Sequence, residues 1–482
     1  MTTEQQKGGP TADTALRRKL RLFVVRDYRE IMALATPTIL TMLSQTLMWT
    51  VDTALIGRVN SVSLAAVGLG GILTWATYSL FNNLSRITGT FVSQSHGRED
   101  HQNVAHYAWQ GVYIAIIAGL VLQVLGYYSY LVLPWTHNPA EVQDLTYVYI
   151  KWRSMSAVFT QLIFALMGFF QGRRDVRVPM YAGIIGNAVN ILLDVWLIFG
   201  WSGFEAFGQT WLAVPAMGVK GASIGTSIGT AINAVALIVW ALEPRLREKY
   251  AIHKPRRPQL LAIGRMIRVG LPAAFEGFID MGGFLMFTIF IGTISAVQLA
   301  ASQITIQLLS FSFMPMWGLT TAASVLTGNE IGAGRPDRAA HYGRQTYKLG
   351  TYYSLTLAVV IVLLRHHLFR IFTNDPEVLV LGASLAIAAA VFQYFDGLRM
   401  LSSGILQGAG DTVYTMIITL GLMWFGFIPL TWFLIVYQDG NVIAAWMGAS
   451  VAYLAQGYLM WRRFESGKWR ERNIFGGKTE PL

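Results

Sequence analysis

The sequence predicts an all-α membrane protein built from twelve transmembrane helices in two parallel-repeat lobes of six helices each. Three observations predict this fold class. Of the residues, 54% are hydrophobic and only 13% are charged. Apolar runs long enough to cross a bilayer recur from end to end, and the second half of the chain repeats the first. Because soluble domains carry about 25% charged residues, the composition excludes an ordinary soluble protein.

Twelve apolar stretches predict the helices in order. They lie at roughly 31–57, 63–95, 104–134, 143–170, 178–199 and 218–243, and then at roughly 263–292, 299–332, 339–373, 378–407, 412–437 and 441–461. The division predicts a basic tail at 1–30, a first lobe at 31–243, a basic linker at 244–262, a second lobe at 263–461 and a basic tail at 462–482. The first apolar run is too long for a signal-peptide core, so we expect no cleaved leader.

The distribution of basic residues predicts the orientation. The net charge is +11, and Lys and Arg cluster in the two tails and the linker, whereas the loops 136–143 and 200–217 are nearly free of them. Cytoplasmic loops of membrane proteins carry this excess, so we expect both termini in the cytoplasm and the protein in the inner (plasma) membrane. Lys151 and Arg153, near the outer end of the fourth helix, are expected to snorkel outward. The same distribution argues against a nucleic-acid-binding face.

An internal repeat organises the two lobes. A shift of 235 positions superimposes Pro37 on Pro272 and Gly97 on Gly332. Six helices per copy give both copies the same orientation, so the repeat is parallel. Secondary transporters with such repeats place their site between two lobes and alternate access by rocking one lobe against the other. A static channel that arose by duplication is the alternative.

A carboxylate lies inside the first predicted helix. Asp52 shares one helical stripe with Thr38, Thr41 and Gln45. A charged side chain in a membrane helix costs about 2.5–3.5 kcal/mol, so such residues usually face a cavity or the interior of a helical bundle. The alternative is that Asp52 snorkels to the outer interface.

The fifth predicted helix carries a second polar stripe, Asn187, Asn190 and Asp194. Asp194 lies about as deep in the membrane as Asp52. Two carboxylates with amide and hydroxyl oxygens beside them can share a proton or hold a hard cation such as sodium. The alternative is a stripe that only joins helices by hydrogen bonds.

The second lobe has acidic residues near the middle of its spans. Glu276 and Asp280 lie on the seventh helix and Asp396 on the tenth. We expect Asp280 and Asp396 to give the central cavity a negative potential, and a second cation site is the alternative. Arg399, three residues after Asp396, offers a simpler explanation, because it can neutralise that aspartate within the helix.

Pro37 lacks a backbone donor and therefore favours a bend in the first helix. Its repeat partner Pro272 indicates a bend shared by both lobes. The chain has no cysteine, which excludes disulfides and thiol catalysis. It also has no Walker lysine loop, HExxH or credible nucleophile elbow, so we expect neither an enzyme nor a cofactor.

The segment ATPTILTMLSQTLMWTVDTALIGR, the QGRRD and QGAGD turns, and GVKGASIGT resemble the multidrug and toxin extrusion (MATE) transporters. The resemblance implies a V-shaped pair of lobes that exports cationic, often aromatic drugs in exchange for sodium ions or protons. By motif, it implies an N-lobe cation site at Asp52, Asn190, Asp194 and Thr226, similar to that of the DinF-like branch, and a hinge at Pro37. Asp280 and Asp396 resemble the C-lobe carboxylates of the NorM-like branch, and with Glu276 they are the predicted substrate-cavity residues or second cation site.

These inferences predict a secondary active antiporter that exports organic cations in exchange for protons or sodium ions. If the ion is sodium, the N-lobe set is the expected metal site. The expected partners are cationic aromatic drugs and membrane lipids but no nucleic acid, and we expect a monomer. A flippase for lipid-linked oligosaccharides from the same superfamily is the alternative, although such proteins usually have a basic cavity.

Overall fold

The computed structural model describes residues 12–201, 204–206, 209–211, 214–438 and 440–476. In the first half the helices are α1 (Ala12–Gly57), α2 (Ser61–Arg86), α3 (Thr88–Gly97), α4 (His101–Tyr127), α5 (Ala140–Ser154), α6 (Ala157–Gly172), α7 (Arg177–Phe199), α8 (Val219–Ala241) and the linker helix α9 (Pro244–Tyr250). Single 3-10 turns lie at Tyr128–Leu131 and Leu133–Thr136. Between α7 and α8, β1 (Phe204–Ala206) pairs antiparallel with β2 (Gln209–Trp211), and Trp201 and Val214 form a further antiparallel bridge; these pairings depart from the predicted all-α fold.

The second half contains α10 (Leu260–Gly292), α11 (Ala296–Gly332), α12 (Pro336–Arg370), α13 (Pro376–Gly408), α14 (Thr412–Leu422), α15 (Ile428–Trp432) and α16 (Val442–Glu465). Two π-helical segments, Met423–Phe427 and Phe433–Tyr437, flank α15, and a 3-10 turn at Lys468–Glu471 ends the described helices. The π segments lie on either side of Pro429, which has no N–H to donate to the preceding turn.

The predicted membrane spans are confirmed in number and order. Within the described residues, eleven helical segments are long and apolar enough to cross a membrane, and the pair α5–α6 makes twelve if it is one span. This pair is bent by 50°. The first helix begins at Ala12, so part of the predicted basic tail is helical. Its Ala, Leu, Arg and Lys residues are strong helix formers, which explains the extension.

The internal repeat is visible at the helix starts. Asn60 caps α2 by accepting a hydrogen bond from the Ser63 amide at 2.7 Å. Ser295, 235 positions later, caps α11 in the same way by accepting from the Gln298 amide at 3.2 Å. Short polar side chains are preferred at these positions because the first amides of a helix lack partners. The repeat therefore preserves local structure as well as residue identity.

The helices within each half of the chain pack on one another. In the first half α7 packs on α8 and α4 on α6, and in the second half α13 packs on both α11 and α16. The halves meet where α11 contacts α1 and α3, and where α10 contacts α2. We call the face that carries the loops 98–100, 173–176, 251–259, 333–335 and 409–411 the terminal face, and the other side the opposite face.

A close contact between α3 and α11 joins the halves at the terminal face. A Cβ atom on Gly97 would lie 1.9 Å from the Asn329 carbonyl oxygen, and one on Gly332 would lie 2.0 Å from the Gln94 carbonyl oxygen. The Gln94 amide donates to the Gly408 carbonyl at 3.1 Å, and the Asn329 amide donates to the Gly172 carbonyl at 3.0 Å. The internal repeat relates Gly97 to Gly332 and Gln94 to Asn329, because each pair is 235 positions apart. We call the contacts of these four residues the glycine seal.

An ion-pair network surrounds the glycine seal. Arg174, in the loop after α6, contacts Glu30 of α1 and reaches Glu330 of α11 at 3.3 Å. Glu330 is 2% exposed and also pairs with Arg335 at 2.9 Å. Asp27 of α1 contacts His341 of α12 at 2.8 Å. Two of these pairs, Arg174–Glu330 and Asp27–His341, join one half to the other, so the structure is closed at the terminal face.

Candidate functional site: a central cavity and a buried carboxylate cluster

A cavity of about 450 Å³ lies between the two halves. The first half contributes walls from α2, α3 and α6, and the second from α10, α11, α13 and α16. Aromatic side chains dominate its apolar surface: Trp75, Phe284, Phe313, Trp317, Phe392 and Tyr453. Ligand cavities for drug-sized molecules usually measure about 300–1,000 Å³ and combine apolar walls with a few polar groups. The cavity therefore has the size and lining of a small-molecule site.

The predicted residue Glu276 lies on the cavity wall and is 5% exposed. Ser403 and Thr415 each donate a hydroxyl hydrogen bond to its carboxylate at 2.6 Å, and Gln407 donates its amide at 3.3 Å. All three donors are neutral. Glu276 thus has its hydrogen bonds satisfied by neutral donors, without a direct ion pair among the described residues.

The predicted residues Asp280 and Asp396 are brought together by one arginine. Arg399 contacts Asp396 at 2.7 Å and Asp280 at 3.2 Å, and its guanidinium lies 4.8 Å from the centre of the Tyr453 ring. The Tyr453 hydroxyl donates to Asp280 at 3.1 Å. The sequence indicated the Asp396–Arg399 pair but not the bridge to Asp280. In this conformation neither aspartate is a free carboxylate.

The four residues predicted for the N-lobe site lie together near the opposite face. Asp52 of α1 lies within hydrogen-bonding reach of Asp194 of α7. The Asn190 amide donates to Asp194 at 3.0 Å and lies 3.4 Å from the Thr226 hydroxyl. Asp194 is 0% exposed and Asn190 is 1% exposed. The structure therefore does not place Asp52 at the membrane interface as an isolated, snorkelling group.

Three oxygen atoms of this cluster are buried and lack a donor within the described residues. They are Oδ1 of Asp52, Oδ1 of Asn190 and Oδ1 of Asp194. Buried acceptors without partners are rare in proteins because each loses its bonds to water. Adjacent carboxylates in such a place favour a bound proton or cation, and an all-oxygen set suits a hard cation such as sodium. The donor set fits the predicted ion site, and its role stays a prediction.

The α5 helix brings two further groups to the cluster. Arg153 lies close enough to interact electrostatically with Asp52, and its side chain also contacts Ser156. Tyr149 lies near both aspartates. Arg153 therefore lies within electrostatic reach of the cluster, and its expected snorkelling toward the outer face stays a prediction. Lys151 instead lies 5.5 Å from the centre of the Tyr127 ring.

Pro37 lies inside α1, which continues through it without interruption. The Thr41 hydroxyl donates to the Pro37 carbonyl at 2.9 Å, and Thr38 donates to the Leu34 carbonyl at 3.1 Å. The polar residues on this part of the stripe are thus satisfied by their own helix. A hinge role for Pro37 stays a prediction.

Comparison with known proteins assigns the chain to a class of membrane transporter. The MatE family model matches residues 37–196 and 272–433. The two matched segments begin at Pro37 and Pro272, the positions that the internal repeat relates. Together they cover more than half of the chain, so the chain belongs to the MATE family of transporters.

The relatives cover nearly the whole chain. The probable multidrug resistance protein NorM of Thermotoga maritima is 27% identical over 448 residues, covering 92% of this chain and 94% of the relative. The multidrug resistance protein NorM of Burkholderia vietnamiensis is 29% identical over 438 residues, covering 89% and 92%.

Solved structures share the fold. The eukaryotic MATE transporter AtDTX14 matches with a TM-score of 0.82 at 17% identity, covering 93% of this chain and 97% of that one. A MOP superfamily transporter from Pyrococcus furiosus matches with a TM-score of 0.81 at 18% identity and the same coverage. At these identities the structural likeness supports the fold alone.

Proposed function

We propose that this protein is a secondary active antiporter that exports amphipathic aromatic drugs, chiefly cations, in exchange for protons or sodium ions. Relatives across nearly the whole chain carry the name multidrug resistance protein. The observation that carries the ion coupling is the set of three buried oxygens without donors at Asp52, Asn190 and Asp194. Because the cavity lies within one chain, we propose that a monomer suffices.

The position of α1 supplies a route from the ion site to the cavity. This helix carries Asp52 against α7 and also packs on α11 of the other half. Its Thr46 hydroxyl lies 3.6 Å from the Met314 sulfur, and Ile39 packs closely against Gly318. A bound cation neutralises the repulsion between Asp52 and Asp194 and lets α1 and α7 pack closely. Loss of the cation changes this packing and thereby the contact between the halves.

The direction of export follows from the loop charges. The terminal face carries the basic linker, which favours a cytoplasmic location for that face. The glycine seal then closes the cavity to the cytoplasm in this conformation. A drug in the cavity leaves toward the outside, and the ion enters from there.

The test is transport in proteoliposomes with an imposed sodium or pH gradient. Uptake of the cationic dye rhodamine 123 should follow one of the two gradients in the wild-type protein. Asp52→Asn and Asp194→Asn should each abolish gradient-driven uptake, because each removes a carboxylate from the ion site. Asp144→Asn, which alters an exposed aspartate of α5, is the matched control and should transport normally. Full transport by Asp194→Asn would contradict the assignment of the ion site.

A further inference from the structure

One charged group on the cavity wall has no counterpart. Arg86 is the last residue of α2 and faces the central cavity, where its guanidinium lies 5.0 Å from the centre of the Trp317 ring. Among the described residues its side chain forms no hydrogen bond and no ion pair. By contrast, Arg399 pairs with two aspartates, and Arg463 contacts Asp411 at 2.7 Å. Arg86 is therefore an unpaired cation within a membrane span.

An unpaired arginine at this depth is unfavourable unless something compensates it. Charged groups inside membrane spans usually pair with an opposite charge or line a pathway for polar substrates. The face of Trp317 offers Arg86 a cation–π contact, which leaves its N–H groups free. The planar guanidinium presents these donors in a fork that matches carboxylate and phosphate oxygens. An oxyanion that enters the cavity would supply the missing charge.

The acidic wall of the cavity does not provide that group in this structure. Asp280 and Asp396 are both bonded to Arg399, and the carboxylate of Glu276 is held by Ser403, Thr415 and Gln407. The charged residues of the lining number two arginines and three acids, so the cavity is close to balanced in charge. A purely cationic ligand would leave Arg86 unpaired and would find both aspartates occupied.

We propose that Arg86 forms an oxyanion subsite, so that the cavity favours aromatic ligands that carry a carboxylate or similar group together with a cationic ring. The inference rests on the proposed function, because it takes the cavity to be the substrate site. The ring system of the ligand packs between Trp75 and Trp317, which line the same cavity as Arg86. Asn83, one turn before Arg86 on α2, adds an amide donor on that wall.

A matched pair of dyes isolates this subsite. Rhodamine 110 carries a free carboxylate, and rhodamine 123 is its methyl ester, so the two differ only in the anionic group. The experiment measures binding of both dyes by fluorescence anisotropy to the full-length protein in phosphatidylcholine nanodiscs. The readout is the ratio of the two affinities, which cancels a general loss of binding capacity.

We expect wild-type protein to bind rhodamine 110 more tightly than rhodamine 123. Arg86→Gln should lower the affinity for rhodamine 110 by about tenfold or more relative to the affinity for rhodamine 123, because a charge-assisted hydrogen bond is lost. Arg86→Lys keeps the charge but not the planar fork, so it should retain only part of the preference. Arg245→Gln, which alters an exposed arginine of the linker, should leave the ratio unchanged.

Two results would overturn the proposal: tighter binding of rhodamine 123 than of rhodamine 110 by the wild-type protein, or an equal loss for both dyes in Arg86→Gln. An equal loss would instead make Arg86 a structural group that serves every ligand alike. The comparison of the dyes on wild-type protein decides the question even if Arg86→Gln fails to fold. Gradient-driven uptake of rhodamine 123 tests the proposed function separately, so the two proposals can fail independently.

Discussion

At the scale of single residues, the ion site depends on a glycine as much as on its carboxylates. A Cβ atom on Gly225 of α8 would lie only 2.0 Å from Oδ1 of Asp194. This oxygen is one of the three that lack donors. The position of the Asp194 carboxylate is therefore set by the absence of a side chain on the neighbouring helix.

Gly225→Ala should displace the Asp194 carboxylate and uncouple transport although every predicted ligand remains. We expect gradient-driven uptake to fall by about tenfold or more, since a shift of about an ångström costs a preorganised site that much. Dye binding should persist, because Gly225 does not line the cavity. The measurement compares uptake with that of Gly71→Ala, where a Cβ atom would meet nothing within 4 Å. Equal uptake by both variants would show that the carboxylate position does not matter.

The sequence located the acids of the site but not their surroundings. Asp52 and Asp194 stand out because a carboxylate is rare in an apolar span. Arg86 gave a comparable signal in the sequence. It is a charged residue in the apolar span that ends at Gly97, and no acidic residue lies one helical turn from it. The contact of Gly225 with Asp194 and the bridge from Arg399 to Asp280 depend on how helices pack, and no local pattern encodes them.

At the scale of helices, the crossing of α3 and α11 controls the terminal face. Gly97 and Gly332 allow the two backbones to touch, and the repeat places one glycine on each helix. The sequence predicted the spans well because their apolar lengths reflect bilayer thickness. It did not predict the bend between α5 and α6 or the π segments around Pro429, because these depend on neighbouring helices.

Gly97→Ala should open the glycine seal and bias the protein toward access from the terminal face. The added methyl group would collide with the Asn329 carbonyl, and backbone cannot move aside as a flexible side chain does. Ser324→Cys, on the cavity wall, reports the change in this cysteine-free protein. Its labelling by an impermeant maleimide in inverted vesicles should accelerate about tenfold, a population shift of about 1.4 kcal/mol. Gly264→Ala, in open space, is the control, and equal labelling of the two variants would contradict the seal.

At the scale of the whole molecule, two halves of similar construction have different chemistry. The first half holds the buried carboxylates near the opposite face, and the second half lines the cavity with acids that arginine and hydroxyl groups already satisfy. The helix α1 joins them, because it carries Asp52 and also packs on α11. We therefore propose that ion binding in the first half controls how the two halves pack on each other.

The central claim is tested most directly by measuring the distance between the halves as the ion concentration changes. Spin labels on Glu141→Cys and Glu377→Cys, exposed positions in the first and second halves at the opposite face, report this distance by pulsed electron paramagnetic resonance. The account predicts two distance populations whose ratio shifts with sodium concentration or pH. It further predicts that Asp194→Asn holds the ratio constant under every condition. Two results would contradict the account. One is a ratio of distance populations in the wild-type protein that changes with neither sodium concentration nor pH, and the other is an unchanged ion response in Asp194→Asn.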